Sequence, residues 1–358
     1  QGNGTKEKPY KISSEEEFVL IAKDPDAHYI LASDLVISKN YEIDFSGVFD
    51  GNHHRIVLED EALYGLFDNN SGVIKNVNIE VFGEIELYIG DSVLGEIKSY
   101  SIGSICSVND GIIRDCTTVG SLEILCSGSG GKLYIAGIAG ENYSVIERCW
   151  NDMLLSVHSS ESGYEDIGFS VPRGAAASVF VIGGISGWNE GRISHCINNG
   201  KIWSKFSEDD RASWFMFESG GIAGYAYEHS SIEYCIQAGK EIDLDCELVG
   251  DSTEEGYQFF SSLVYHLRTG FIAGCEYNFG NQVYINKPKI VNCGVQKDSY
   301  IIRDLNAYNY YIQEVKEYLA EETAYKIYSN SEIKSWWDSL ERADENESEE
   351  TEIQSDFS

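Results

Sequence analysis

Basic residues are scarce in this chain. Its 358 residues include 26 Lys and Arg against 59 Asp and Glu, a formal net charge of −33. Nucleic-acid binding rests on Lys and Arg contacts to phosphates, and anionic membrane surfaces recruit the same cations, so this balance argues against both partners. The acid excess serves solubility, with calcium or a cationic partner as the functional alternatives. Proline is rarer still, at 4 residues, which leaves little for stiff linkers, whereas 35 glycines supply tight turns. No apolar run approaches the roughly 20 residues that span a bilayer. Catalytic signatures are missing too: there is no His-Glu-x-x-His, no Gly-x-Ser-x-Gly and no Cys-x-x-Cys. No signal peptide or cell-wall sorting signal is visible. The chain starts at Gln1 rather than Met, so a leader is expected to have been removed or left out.

What the chain does have is one phrase used six times. Each copy opens on a glycine-led triplet, at Gly65, Gly103, Gly137, Gly184, Gly221 and Gly270. Each closes on isoleucine-x-x-cysteine: Ile113 to Cys116, Ile146 to Cys149, Ile193 to Cys196, Ile232 to Cys235 and Ile290 to Cys293, with Ile74 to Val77 in the first copy. Self-similarity of this kind predicts a solenoid, in which each repeat buries its apolar face against its neighbours. Residues three apart on a straight strand face opposite ways, so a bend must let both ends of Ile-x-x-Cys point inward. Asn70, Asn109, Asn142 and Asn189, with Gly72, Gly111 and Gly191, recur at one place and are read as a left-handed turn. A period-two stretch follows, as in Gly120-x-Leu122-x-Ile124. Three short strands per repeat are therefore expected.

The fold class follows: all-β, a right-handed parallel β-helix (solenoid) with an N-terminal helical cap and a C-terminal helical segment. Residues 1–58 read as N-terminal cap and first coil, 59–300 as β-helix repeats, 301–340 as a C-terminal helical cap and 341–358 as an acidic tail. The cap begins with a helix over Glu15–Ala22, introduced by a Ser13 or Ser14 capping box with Glu16 or Glu17. Asn306–Tyr328 has helical spacing, and Ser331–Leu340 adds a turn or two. Length variation concentrates between the third strand and the next glycine triplet, in Tyr88–Ile102, Leu125–Ile135, Val157–Ala177, Ser204–Ser219 and Asp245–Thr269. Insertions at one corner of every coil stack along one side, and that side is the candidate binding face.

The face brings aromatics and carboxylates together, a pairing suited to a sugar or a protein partner. Its candidates are Tyr88, Tyr164, Asp209, Trp214, Phe215, Tyr257 and Phe259. Folding down to cover the strand corner is the structural alternative for any one of them. Cys116, Cys149, Cys196, Cys235 and Cys293 are expected as a core ladder, because coils about 4.8 Å apart strain a disulfide whose Cβ atoms prefer about 3.8 Å. Cys106, Cys126, Cys246 and Cys275 lie outside the ladder and are free to pair. No cofactor is implied. Asp243-x-Asp245-x-Glu247 resembles the start of a calcium loop, but Leu248 stands where the loop needs glycine.

Gly4-Thr5-x-x-x-Pro9-Tyr10, Phe45-Ser46-Gly47-Val48-Phe49-Asp50-Gly51-Asn52 and the six repeats together resemble the GLUG-motif family. The resemblance covers about Gly4 to Val295. It implies a bacterial, exported β-helical surface protein, such as the non-catalytic regions beside some immunoglobulin A peptidases, and carries over no catalytic residue. The expected function is a non-enzymatic scaffold for adhesion or self-assembly. Its partner is a glycan or protein on the loop face, or a second copy through the coil ends and acidic tail. The alternatives are a polysaccharide lyase or glycoside hydrolase, a glycan-binding module on the flank, and a fragment of a larger surface protease.

Overall fold

A computed structural model of the chain describes residues 2–89, 99–127, 131–159, 178–208, 215–239, 241–248, 264–270, 273–275, 289–297, 300–305 and 326–344. Most of them lie in strands, and the strands of successive coils pair in parallel. One coil serves as the pattern. Its strands are Ser99–Gly103, Cys106–Asn109, Ile112–Arg114 and Thr117–Ser127. The next coil repeats them as Lys132–Ala136, Ala139–Asn142, Val145–Glu147 and Trp150–Ser159. Register runs one-to-one, Ile102 beside Ile135, Asn109 beside Asn142, Ile113 beside Ile146 and Thr117 beside Trp150. Stacking generates sheets of five, seven, nine and twelve strands among the described residues.

Each of these coils thus has four strands rather than three. The additional strand, a member of the five-stranded sheet, lies just before the glycine triplet, inside stretches whose variable length reads as insertion. Its inward residues, such as Leu133 and Ile135, are as buried as those of the other sheets. The variable segments proper run between the twelve- and five-stranded sheets and are largely outside the described residues.

The bend in Ile-x-x-Cys is a single residue with positive φ. Asn76, Asp115, Arg148, His195, Tyr234 and Asn292 have φ between 49° and 55° and stack at one corner. Side chains rarely adopt this conformation, so six in register mark a geometric requirement. It turns isoleucine and cysteine inward together, and Ile113, Cys116, Ile146 and Cys149 are fully buried. The left-handed turn expected at the asparagines and glycines is absent from Asn70, Asn109, Asn142 and Asn189, which are not among the positive-φ residues. Those asparagines end strands with their side chains inward and fully buried. Gly111 is needed for a different reason: a Cβ there would lie 2.2 Å from the Gly72 carbonyl oxygen of the coil below.

Two polar ladders run through the stack. Asn70 Nδ2 donates to Asn109 Oδ1 (2.7 Å), Asn109 to Asn142 (2.8 Å) and Asn142 to Asn189 (2.7 Å). A second row passes from Thr118 to Asn151, on to Asn198 and then Gln237. Each amide has a donor and an acceptor to place, and a neighbour one coil away satisfies both, so burial leaves neither orphaned.

The first coil is filled differently. The expected helix is shorter, an α-turn at Glu15–Phe18 followed by a 3₁₀ segment at Val19–Lys23. Ser14 Oγ accepts from the Glu17 amide, and the Glu17 carboxylate accepts from the Ser13 amide at 2.7 Å. Phe18 is fully buried, with its ring 6.1 Å from that of Phe49 and 5.7 Å from that of Phe67. At the other terminus, Lys326–Tyr328 is a strand paired with Gly294–Gln296, although helical spacing was expected through it. Residues 306–325 and the acidic tail beyond Asp344 lie outside the described residues.

The turn or two expected over Ser331–Leu340 as part of the C-terminal cap is a longer helix, Asn330–Asp344, and it lies along the flank. Gln296 of the last coil donates to Asn330. Trp336 then stacks near His195 (6.2 Å) and Trp337 meets Trp150 edge-on (5.1 Å), so the helix runs back over earlier coils. Ile333 is buried with Ile197, Ile236 and Ala238. These outward apolar residues of the twelve-stranded sheet give the helix something to cover. A half-open cavity of about 520 Å³ remains beside it, lined in part by Trp150, Ala238, Lys334 and Trp337.

Candidate recognition surface

Strand alternation sends every second residue of the five- and seven-stranded sheets outward. On the five-stranded sheet the outward row is Ser101, Tyr134, Val181 and Glu218, one residue per coil. On the seven-stranded sheet the matching row is Val108, Glu141, Trp188 and Tyr225. The two rows meet. Ser101 Oγ donates to the Glu141 carboxylate, and the Tyr134 and Trp188 rings lie 5.6 Å apart. Trp188 stacks on Tyr225 at 4.3 Å with planes 8° apart. Tyr134, Val179, Val181 and Tyr225 form a buried cluster separate from the main core, with Trp188 half-buried over it.

One step beyond the asparagine ladder lies a third row: Asp110, Tyr143, Glu190 and Tyr227. Backbone amides of Tyr143, Glu190 and Tyr227 donate to Asn109, Asn142 and Asn189 of the coil below, which keeps the row in step with the stack. Tyr143 donates its hydroxyl to Glu141 Oε2 (2.5 Å), and the Trp188 indole donates to Glu190 Oε1 (3.0 Å). Burial pushes the Tyr134 phenol up to about 12, helped by the nearby Glu141 and Glu218 charges. Burial also raises Tyr143, as does its bond to Glu141. The surface is therefore a set of neutral rings whose edges are held by carboxylates.

This surface is not the set expected from the sequence. Tyr88 ends strand Asn78–Tyr88 and is half exposed, its carbonyl accepting from the Tyr100 hydroxyl. Phe215 opens strand Phe215–Gly220 of the five-stranded sheet, paired with Ser178 and Val264. Tyr164, Asp209, Trp214, Tyr257 and Phe259 lie outside the described residues. The residues that do converge occupy variable positions inside the repeat phrase, on either side of the asparagine. The signal was the run Glu141, Trp188, Tyr225 at equivalent places in three successive repeats.

The five ladder cysteines are where the repeat places them, all buried and all free thiols, as are Cys106 and Cys126. The side chains of Cys246 and Cys275 are outside the described residues. Burial drives Cys116, Cys149, Cys196 and Cys235 well above the ordinary thiol range, so the reactive thiolate is suppressed. A site-resolved thiol-labelling experiment is expected to leave Cys106, Cys116, Cys126, Cys149, Cys196 and Cys235 unmodified near neutral pH until the chain unfolds. Rapid labelling of any of these six in the folded chain would contradict their placement.

Two other arrangements carry less. No group of three or more His, Cys, Asp or Glu side chains suited to a metal occurs among the described residues. The calcium-like Asp243-x-Asp245-x-Glu247 lies on a strand, Glu241–Leu248, rather than in a loop. On the twelve-stranded sheet Ser156 Oγ lies 2.7 Å from His158 Nε2, and Glu123 Oε1 lies 3.3 Å from the same nitrogen. A serine relay needs the nucleophile and the acid on opposite ring nitrogens. Here both meet one, so the cluster is a polar contact on the sheet surface.

The fold has a solved counterpart. A Bacteroides ovatus protein described as a "putative immunoglobulin A1 protease" matches at TM-score 0.58, over 95% of this chain and 90% of that one. The two are 17% identical, so the likeness is one of fold. No family model and no curated protein matches the chain. Among the described residues no helix is long and apolar enough to cross a membrane.

Proposed function

We propose that the chain is a non-enzymatic scaffold for adhesion, exported by a bacterium and exposed at or beyond its surface. The observation that carries this reading is the division of chemistry between inside and outside. Inside the coil, amides bond to one another in ladders and thiols sit buried in a row. Outside, one flank collects Tyr134, Trp188, Tyr225 and Tyr227 with Glu141 and Glu190. A stacked coil fixes such side chains before any partner arrives, which lowers the ordering cost of binding. The repeat phrase, with its likeness to GLUG-motif surface proteins, supports export. The Bacteroides ovatus counterpart is compatible with a scaffold region of a larger protease whose catalysis lies elsewhere. Right-handed winding follows the strong preference of parallel crossovers. In this reading the Phe18 segment closes the first coil, and the C-terminal helix seals the flank.

Self-assembly is the variant in which the acidic tail and coil ends join copies. The buried Phe18 segment weighs against it at the N-terminal end. Light scattering with negative-stain imaging, with and without calcium, is expected to give monomers at every concentration. Filaments would replace adhesion with assembly. A second reading is polysaccharide cleavage by paired carboxylates on the flank of the coil. Release of reducing ends or unsaturated sugars would support it.

A further inference from the structure

Glu141 and Glu190 are carboxylates without a cation. Glu141 accepts from Ser101 and Tyr143, and Glu190 from Trp188, and neither has a Lys, Arg or His partner among the described residues. Elsewhere several acids do have one. Arg148 pairs with Asp115, Arg192 with Glu147, Lys289 with Glu233 and Arg55 with Glu80. The acids of this corner are also in contact with aromatic side chains. An aromatic face attracts a cation lying within about 6 Å of its centre, and a guanidinium adds a planar pair of donors that match a carboxylate.

The corner has the spacing for such a group. Tyr143, Glu190 and Tyr227 succeed one another in adjacent coils, so the two tyrosines stand about two coil spacings of 4.8 Å apart with a carboxylate between them. Tyr143 is 41% and Tyr227 37% exposed, and Trp188 forms the wall behind Tyr227, with ring centres 6.2 Å apart. We propose that this corner receives an arginine or lysine side chain of a partner peptide. The proposal rests on the adhesion reading and gives it a ligand class. A neutral sugar also stacks on tyrosine and tryptophan, but it leaves two carboxylates uncompensated on a chain already at −33. A cation uses both features of the corner, and the field of the whole chain favours its approach.

The test titrates the full chain with a labelled acetyl-Gly-Arg-Gly-Arg-Gly peptide at physiological salt, beside the same peptide with citrulline for arginine. Citrulline keeps the shape and removes the charge. The citrulline peptide is expected to bind about tenfold more weakly or worse, a loss in the range of a desolvated cation–π contact with a charge-assisted hydrogen bond. Glu190→Gln and Tyr227→Leu are each expected to weaken the arginine peptide by a similar factor. Glu86→Gln removes the same charge from an exposed site on the twelve-stranded sheet and is expected to leave binding unchanged. No binding of the arginine peptide, equal binding of citrulline, or equal loss in Glu190→Gln and Glu86→Gln overturns the site. A parallel glycan array separates the two readings. A glycan bound by the wild type and lost in Tyr227→Leu but retained in Glu190→Gln overturns the cation and leaves adhesion standing. No ligand in either format overturns both.

Discussion

Asn142→Leu is expected to cost the fold about 3 kcal/mol, well beyond what a leucine of similar size would cost on a surface. Asn142 sits mid-ladder, accepting from Asn109 and donating to Asn189. It also accepts from the Ser144 amide. Leucine removes these contacts and strands the Asn189 carbonyl oxygen in a fully buried place, where each orphaned group costs about 1–3 kcal/mol. Asn70→Leu is the matched comparison. Asn70 stands at the start of the row: its loss strands the Asn109 carbonyl oxygen in the same way and gives up a local bond from the Gly72 amide, but no ladder amide donates to it, whereas Asn142→Leu also takes the acceptor from Asn109. Chemical denaturation of both variants is therefore expected to show a larger loss for the middle position. Equal losses would mean that the ladder is not a linked row.

Phe18→Ala is expected to be as damaging but in a different pattern. Removing a buried phenylalanine typically costs about 3–5 kcal/mol. Phe18 touches Tyr41, Phe49 and Phe67, so its loss opens a void among aromatic rings of the first coils. A coil stack is held by nearest-neighbour contacts, so damage stays near its origin. Hydrogen exchange is expected to accelerate in strands His28–Leu31, Leu35–Ile37 and Val48–Asp50, and little in Trp150–Ser159. Uniform acceleration along the chain would show that the stack unfolds as one unit.

The coil stack was legible because its cause is periodic. Ile113 and Cys116 must both face inward, and that demand recurs at every coil, so it surfaces as a phrase. The bend between them could be inferred, but its residue could not. Asp115, Arg148 and His195 share a backbone conformation rather than a chemistry, and composition does not announce φ. The asparagine ladder was visible as spacing and misread as a turn, since asparagine suits both and the two differ in backbone φ and side-chain direction, neither of which residue type reveals. The fourth strand was hidden because Leu133 and Ile135 follow a segment of variable length. The candidate surface was not picked out for a related reason. Glu141, Trp188 and Tyr225 fall between conserved-looking repeat positions, where outward residues vary freely, and their convergence depends on the angle between two sheets. The C-terminal helix was anticipated in part, but not its direction, which Trp150, Ile197 and Ile236 set from distant coils.

The most direct test of the scaffold reading is one incubation read in two ways. The wild-type chain and Trp188→Leu are exposed to a panel of polysaccharides, matrix proteins and cationic peptides. Mass spectrometry then follows both what stays bound and whether any panel member is cleaved. The account predicts retention of at least one panel member by the wild type, its loss in Trp188→Leu, and no cleavage product from either. Appearance of cleaved polysaccharide or protein, diminished by the same substitution, would contradict it and make the flank a catalytic site.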